Sequence, residues 1–401
     1  MVRTCGRRRK AAGLAVAALV AVSVVLAGCG QGGSLATGAG STSPAAGRTS
    51  PVASSSPPGG RQASVLRFCQ AHQSTVASVL GGLVPDSQQS EFVPLGAASR
   101  REAYVSAWTP DFAGVAELTL RSGRLRPIQR FARPASDQAD GAASGRWLVW
   151  AQTYSLTSLD RFTMYDYNAS TGRVSQIGRS LSKPDGVAWA SPWHAPAVSG
   201  SYAAWAQGYA AGVTEIELAS LATGEVTTIA RGHLQPPFFD GDLVVWPQSD
   251  SPDSPTALHA YSLATHAVAS LPPVLAGVRG TDEVVTDGTR TAYLSPDFTR
   301  LYYSPDPDVP ARPAVRLPTG ADFTDLALAP GALAWTTSSA TYLASTRTGA
   351  FIQVTPQYGY ATGSSSVMLI TDAPSGKSVH PALPTYVVDP VSFSWPSCTS
   401  G

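Results

Sequence analysis

Gly145-Arg-Trp-Leu-Val-Trp150, Gly200-Ser-Tyr-Ala-Ala-Trp205 and Gly241-Asp-Leu-Val-Val-Trp246 are three versions of one hexapeptide. Each sets a glycine five residues before a tryptophan, with a strand-like run between them. The unit returns as Gly288-Thr-Arg-Thr-Ala-Tyr293 and Gly363-Ser-Ser-Ser-Val-Met368, and one residue shorter as Gly331-Ala-Leu-Ala-Trp335. A first copy without the glycine ends in Tyr104-Val-Ser-Ala-Trp108. Anchors therefore fall at 108, 150, 205, 246, 293, 335 and 368. A fixed period of this length is the signature of a repeat architecture.

Between the anchors lies a second half-unit. Glu215-Ile-Glu-Leu218 leads through Thr223-Gly224 to Val226-Thr-Thr-Ile229. Comparable runs flank Ser122-Gly123, Thr171-Gly172, Thr265-His266 and Thr348-Gly349. Alternating runs joined by a short turn with glycine at the positive-φ position are antiparallel hairpins. The one wide gap between turn positions predicts a degenerate copy near 300–317. Seven anchors over residues 65–401 give about 48 residues per unit, and four short strands with loops need about 40–50. The expected fold is all-β, a seven-bladed β-propeller over residues 85–401, with six blades as the alternative. Over roughly residues 90–395 the Gly-x-x-x-x-Trp and Thr-Gly pattern resembles TolB-like surface propellers; that resemblance speaks to fold and not to function.

Composition agrees. The chain has 401 residues, 43% hydrophobic and 8% aromatic, enough for a large core. Only 14% are charged, and 37 Gly with 32 Pro disfavour long helices. Lys occurs three times and Asn once, the coding bias of a GC-rich genome such as an actinobacterium's.

The first 28 residues read as an export signal. A basic segment ends at Lys10, and Ala11–Ala27 follows without a charge. The run closes in Leu26-Ala-Gly-Cys29, which resembles the lipobox of bacterial lipoproteins. That resemblance implies cleavage before Cys29, acylation of its thiol and a lipid anchor in the cell membrane, on the extracytoplasmic side. Residues 30–64 hold 29 Gly, Ala, Ser, Thr or Pro among 35, so 29–64 is expected to be the lipidated Cys29 plus an unfolded tether. Its expected reach is roughly 30–35 Å.

Five of the 28 basic residues fall within 1–28 and no acid does, leaving 23 basic against 27 acidic groups. A faintly acidic domain is a poor nucleic-acid binder, because phosphate neutralisation needs clustered Lys and Arg. Cys69 and Cys398 sit at the two ends of the folded region, and an oxidising compartment favours a disulfide between them. Leu66, Cys69, Val76, Leu80 and Leu83 recur at helical spacing before Gly81-Gly82 and the start of the repeats, predicting an amphipathic helix over 65–84.

Catalytic motifs are missing. There is no Gly-x-Ser-x-Gly elbow, Cys-x-x-Cys pair or His-Glu-x-x-His, and Gly376-Lys-Ser378 lacks the leading glycine of a P-loop. No cofactor or metal is expected. Ser295-Pro-Asp297 reads as a turn. The candidate ligand rim comprises Gln152, Gln207 and Gln248, each two residues after an anchor Trp, with Trp189, Trp193 and His194 on the longest connection. Aromatics on a loop suit sugar stacking or a protein hot spot. Consensus packing is the commoner origin of such Trp-x-Gln repeats, and a long loop more often simply covers the ring. Asp250, Asp253, Asp306 and Asp308 are placed provisionally near the same rim. The resulting expectation is a non-catalytic binding or scaffold module for an envelope protein or polymer. Alternatives are a propeller-fold hydrolase or lyase acting on envelope glycans, and a spacer without a ligand.

Overall fold

The computed structural model describes residues 68–71 and 91–398, apart from 121, 135, 155–159, 193–194, 253, 282, 319, 356–358, 364–366 and 373–384. The expected signal segment, Cys29 and the tether lie outside the described residues. Among the described residues no helix is long and apolar enough to cross a membrane.

Almost every described element is a strand. Among the described residues the first element is a two-residue strand, β1 (Cys69–Gln70). Four strands follow as one antiparallel sheet: β2 (Glu91–Ala97), β3 (Glu102–Trp108), β4 (Ala113–Thr119) and β5 (Arg124–Arg130). The next sheet holds β6 (Gln138–Ser144), β7 (Trp147–Thr153), β8 (Phe162–Asn168) and β9 (Arg173–Arg179). Then come β10 (Ala197–Ser199), β11 (Tyr202–Ala210), β12 (Val213–Ser220) and β13 (Glu225–Leu234). These join β14 (Phe238–Asp240), β15 (Leu243–Ser249), β16 (Ala257–Ser262) and β17 (Ala267–Ala269) into one larger sheet, through His233 opposite Ser249 and Leu234 opposite Gln248. A turn of helix, Pro273–Ala276, precedes β18 (Val284–Thr286), β19 (Thr291–Leu294), β20 (Arg300–Ser304) and β21 (Arg312–Arg316). Next are β22 (Phe323–Ala329), β23 (Ala332–Thr337), β24 (Thr341–Ser345) and β25 (Ala350–Thr355). The last set is β26 (Gly359–Gly363), β27 (Met368–Asp372) and β28 (Thr385–Val388).

Every expected anchor lies on the second strand of its set, from Trp108 on β3 to Met368 on β27. Gly145, Gly200 and Gly241 turn first strand into second at φ near +57°. Gly224 turns third into fourth at φ 78°, and His266 takes the same slot at φ 52°. The degenerate copy expected near 300–317 is β20 and β21.

Apolar clusters fill the spaces between successive sets. Trp150, Leu148 and Tyr167 pack against Tyr104, Trp108 and Val115 of the first set. Trp205, Ala203 and Ala219 pack against Val149, Ala151 and Met164 of the second. The succession returns to its start, because Val367 and Leu369 pack against Phe92, Val105 and Ala107. The first strands also neighbour one another in cyclic order, from β2 and β6 through to β26, which meets β2. Antiparallel sheets arranged this way, outermost strand away from the middle, are the plan of a β-propeller. Exposed Arg124, Arg126 and Arg130 on β5, and Arg173 and Arg179 on β9, charge the outermost strands and discourage edge-to-edge pairing.

The helix expected over 65–84 needs correction in its described part. Cys69 and Gln70 form β1, which runs parallel to Ala350 and Phe351 at the outer edge of β25. Ala71 bridges Cys398, and the Cys69–Cys398 disulfide spans Cα atoms 5.7 Å apart. Phe68 beside it meets Tyr303 and Trp335 edge-on. The sheet edge therefore claims this segment. Residues 72–90 lie outside the described ones.

Candidate functional site

The up-down course of each set fixes two ends. Gly turns and Thr-Gly turns lie at one end. The loops between second and third strands, and the connections between sets, lie at the other, called here the loop end. Asp250 follows β15 at the loop end, whereas Asp306 and Asp308 lie between β20 and β21 at the turn end. These acidic residues therefore do not share a rim. Asp253 lies outside the described residues. Ser295-Pro-Asp297 is a turn, in which the Ser295 hydroxyl donates to Asp297 and accepts the Arg300 N–H.

The three glutamines sit near the loop end; Gln152 and Gln207 are buried and Gln248 is half-buried. Gln152 is 3% exposed; its amide donates to Asp137 at 3.2 Å and accepts from Gln129 at 3.2 Å. Asp137 also takes the Arg133 guanidinium at 3.2 Å, so this chain of bonds joins the first two sets. Gln207 is 5% exposed and donates to both Glu215 and Glu217, at 3.1 and 3.3 Å. Glu217 accepts from the Thr228 hydroxyl at 2.8 Å, and Arg231 pairs with Glu215 at 3.0 Å. Burial pushes the Glu217 carboxyl above its ordinary range; the Thr228 hydroxyl opposes this and adjacent Glu215 reinforces it. Gln248 accepts from Trp246 Nε1 at 3.2 Å. Period-two alternation explains the geometry, since residues i and i+2 share a face and a buried Trp carries its Gln inward.

The connection after β9 does protrude. Its first part is a small hairpin in which Ser182 bridges Ala188, Lys183 N–H donates to Val187 at 2.7 Å and Trp189 N–H donates to Leu181 at 3.0 Å. Val187 beside the turn is 57% exposed. Trp189 is half-buried, with the Lys183 ammonium 5.2 Å from its ring centre. The hairpin base is seated on β11, where Gly208 N–H donates to Ser191 Oγ at 2.9 Å. Gly208 is required there, because a Cβ would stand 2.3 Å from the Ala190 carbonyl oxygen. Trp193 and His194 lie outside the described residues.

Beside this hairpin is a cleft of about 610 Å³. Arg133, Tyr154, Arg161, Gln176 and Arg179 line it, with Phe162, Thr163 and residues of the hairpin. Three arginines thus line one concavity, and among the described residues no carboxylate lines it. Arg133 lies over the Tyr154 ring at 5.1 Å, and the Tyr154 hydroxyl donates to Thr163 at 2.7 Å. Arg133 is compensated by buried Asp137, while among the described residues Arg161 and Arg179 form no ion pair. These arginines are 28 and 18 positions apart and carry no motif, so the sequence gives no signal for them. A cleft of this size and charge can hold a small anion or one segment of a longer anionic ligand.

The innermost strands carry Asp140, Asp240 and Asp325. Asp140 and Asp325 each accept the next residue's N–H at 2.9 Å. Asp240 accepts the Thr286 hydroxyl at 2.8 Å, across two sets, and burial raises its pKa. Among the described residues no three His, Cys, Asp or Glu side chains converge as a metal site would require.

No protein-family model and no curated protein sequence matches the chain. Solved structures do resemble it. A prolyl endopeptidase aligns with TM-score 0.52 at 13% identity, covering 81% of this chain and 50% of its own, so the chain spans about half that enzyme's length. An oligogalacturonate lyase from Vibrio parahaemolyticus aligns with TM-score 0.50 at 10% identity, covering 78% of this chain and 94% of its own. TolB from Acinetobacter baumannii aligns with TM-score 0.39 at 12% identity, covering 67% and 64%. At such identities the likeness concerns the fold alone.

Proposed function

We propose that the chain is a lipid-anchored, extracytoplasmic seven-bladed β-propeller acting as a non-catalytic binding or scaffold module. Its loop end, at the second and third blades, faces a protein or polymer of the cell envelope. Each strand set is read as one blade, the last being β26–β28. The lipobox at Cys29 and the Gly/Ser/Pro/Ala segment after it support the anchor and its tether. The observation that carries the binding role is the loop end itself, where a protruding hairpin borders a cleft holding two arginines without ion pairs. Interaction sites concentrate on such loops, displayed by a rigid scaffold.

The test is photo-crosslinking in cells from position 187, with a Cys29→Ser strain to check that the protein leaves the membrane fraction when the anchor is removed. The expected result is a discrete adduct from position 187 and none from a turn-end control at Val226. Equal labelling from both positions would support a spacer instead. Turnover of an envelope glycan by the purified protein, abolished by one loop-end substitution, would replace this reading with an enzyme.

A further inference from the structure

We propose that the arginine cleft is a subsite for a saccharide carrying a carboxylate or phosphate group. This assignment rests on the binding-module reading and names the chemistry of its ligand. Arg133, Arg161 and Arg179 come from three separate segments: the connection before β6, the loop before β8 and the end of β9. Gathering them in one concavity brings like charges together, which is unfavourable unless an anion enters. Asp137 offsets one of them from a buried position behind Arg133. The other two have no partner among the described residues. A guanidinium presents paired N–H donors that match two oxygens of one carboxylate or phosphate.

The remaining lining selects among anions. Thr163, Gln176 and Ser182 offer hydroxyl and amide groups, which match a ligand rich in hydroxyls. Apolar surface is scarce, and the Tyr154 ring already lies under Arg133. A lipid chain or the apolar side chains of a peptide would find little to bury against. The volume, about 610 Å³, falls within the ~300–1,000 Å³ of small-ligand sites. The cleft is open beside the hairpin, so a chain-like saccharide can present one acidic unit while the rest stays outside.

The test titrates the full-length protein with a glucuronate-containing disaccharide, its neutral glucose counterpart, a sugar phosphate and hexaglutamate, followed by calorimetry. The acidic sugars are expected to bind at millimolar concentration or below, and the neutral sugar at least ~10-fold more weakly. Arg161 and Arg179 are exposed, so Arg161→Gln with Arg179→Gln should leave the melting temperature in place. The same variant should weaken acidic-sugar binding at least ~10-fold, and raising the salt should weaken it in the wild type. Binding of the uronate alone or of the phosphate alone identifies the source of the anion. Equal binding of the neutral sugar, unchanged binding in the double variant, equal binding of hexaglutamate, or no binding of either acidic sugar would each overturn the assignment. If the position-187 adduct persists while no acidic sugar binds, the sugar assignment fails and the module reading stands.

Discussion

Gly208→Ala probes how the binding surface is held in place. The new Cβ would lie 2.3 Å from the Ala190 carbonyl oxygen, 2.9 Å from its carbon and 3.0 Å from Trp189 Cβ. Two of these are backbone atoms, so no side-chain rotation relieves the clash and the connection must lift off β11. Overpacking of this kind costs about 1–3 kcal/mol. Lifting also strains the Gly208 N–H to Ser191 Oγ bond of 2.9 Å, worth about 0.5–1.5 kcal/mol. Gly208 has no positive φ, so alanine restricts the unfolded chain and offsets about 0.4–1 kcal/mol. The net loss is about 0.5–4 kcal/mol. An unfolding entropy of ~2.1 cal/mol/K per residue over Leu66–Gly401 is ~0.7 kcal/mol/K. The melting temperature should therefore fall by about 1–6 °C, as read by calorimetry. Ser191→Ala removes the bond without the clash and should cost only about 1–2 °C. Limited proteolysis should then cut the Gly208→Ala connection near Lys183 faster than in the wild type. A variant that melts within 1 °C of the wild type (about the assay's precision), with an unchanged cleavage rate, would refute the claim that the close seat on β11 positions the hairpin.

Two further predictions concern stability. The Glu217 carboxyl is raised by burial, so its contribution to stability is present below the ordinary glutamate pKa of about 4.3 and is lost as pH rises through the higher folded value. Glu217→Gln should gain on the wild type in melting temperature between pH 4 and 7 (the range about and above that value), and parallel curves for the two proteins would contradict this. Replacing both Cys69 and Cys398 by serine opens a loop with a sequence separation of 329. Chain entropy sets an upper limit of about 5–6 kcal/mol on the loss; urea midpoints unchanged from those of the oxidised wild type would show that the crosslink does not constrain the unfolded chain.

The fold was legible because its signals are local. A glycine at positive φ shortly before a large aromatic is a steric demand of one hairpin, and it holds at Gly145, Gly200, Gly241, Gly288 and Gly331, though not at Gly363. Even His266 was readable, because its place in the turn required the same φ of 52°. The β20–β21 connection had no such marker, since Ser304 organises it by donating to the carbonyls of Asp306 and Val309. The segment around Cys69 misled because helical spacing in the sequence says nothing of an unfilled sheet edge elsewhere. The burial of Gln152 and Gln207 has a reason the sequence contained. Trp150 and Gln152 share a strand face, so an anchor that points inward takes its glutamine with it. The arginine cleft was not legible, because three distant segments meet there only after the sheets are stacked.

The strand at Cys69 has a mechanical consequence. In the anchored module proposed above, a pull along residues 30–64 would reach the described fold at Cys69–Gln70. That strand lies parallel to β25 and is tied covalently to Cys398 on the far side of the sequence. A pull on Phe68 is therefore shared with Cys398, at a sequence separation of 329, and is not borne by β1 alone. In the anchored module proposed above, the crosslink would thus keep a pull at Cys69 from peeling β1 off β25 on its own.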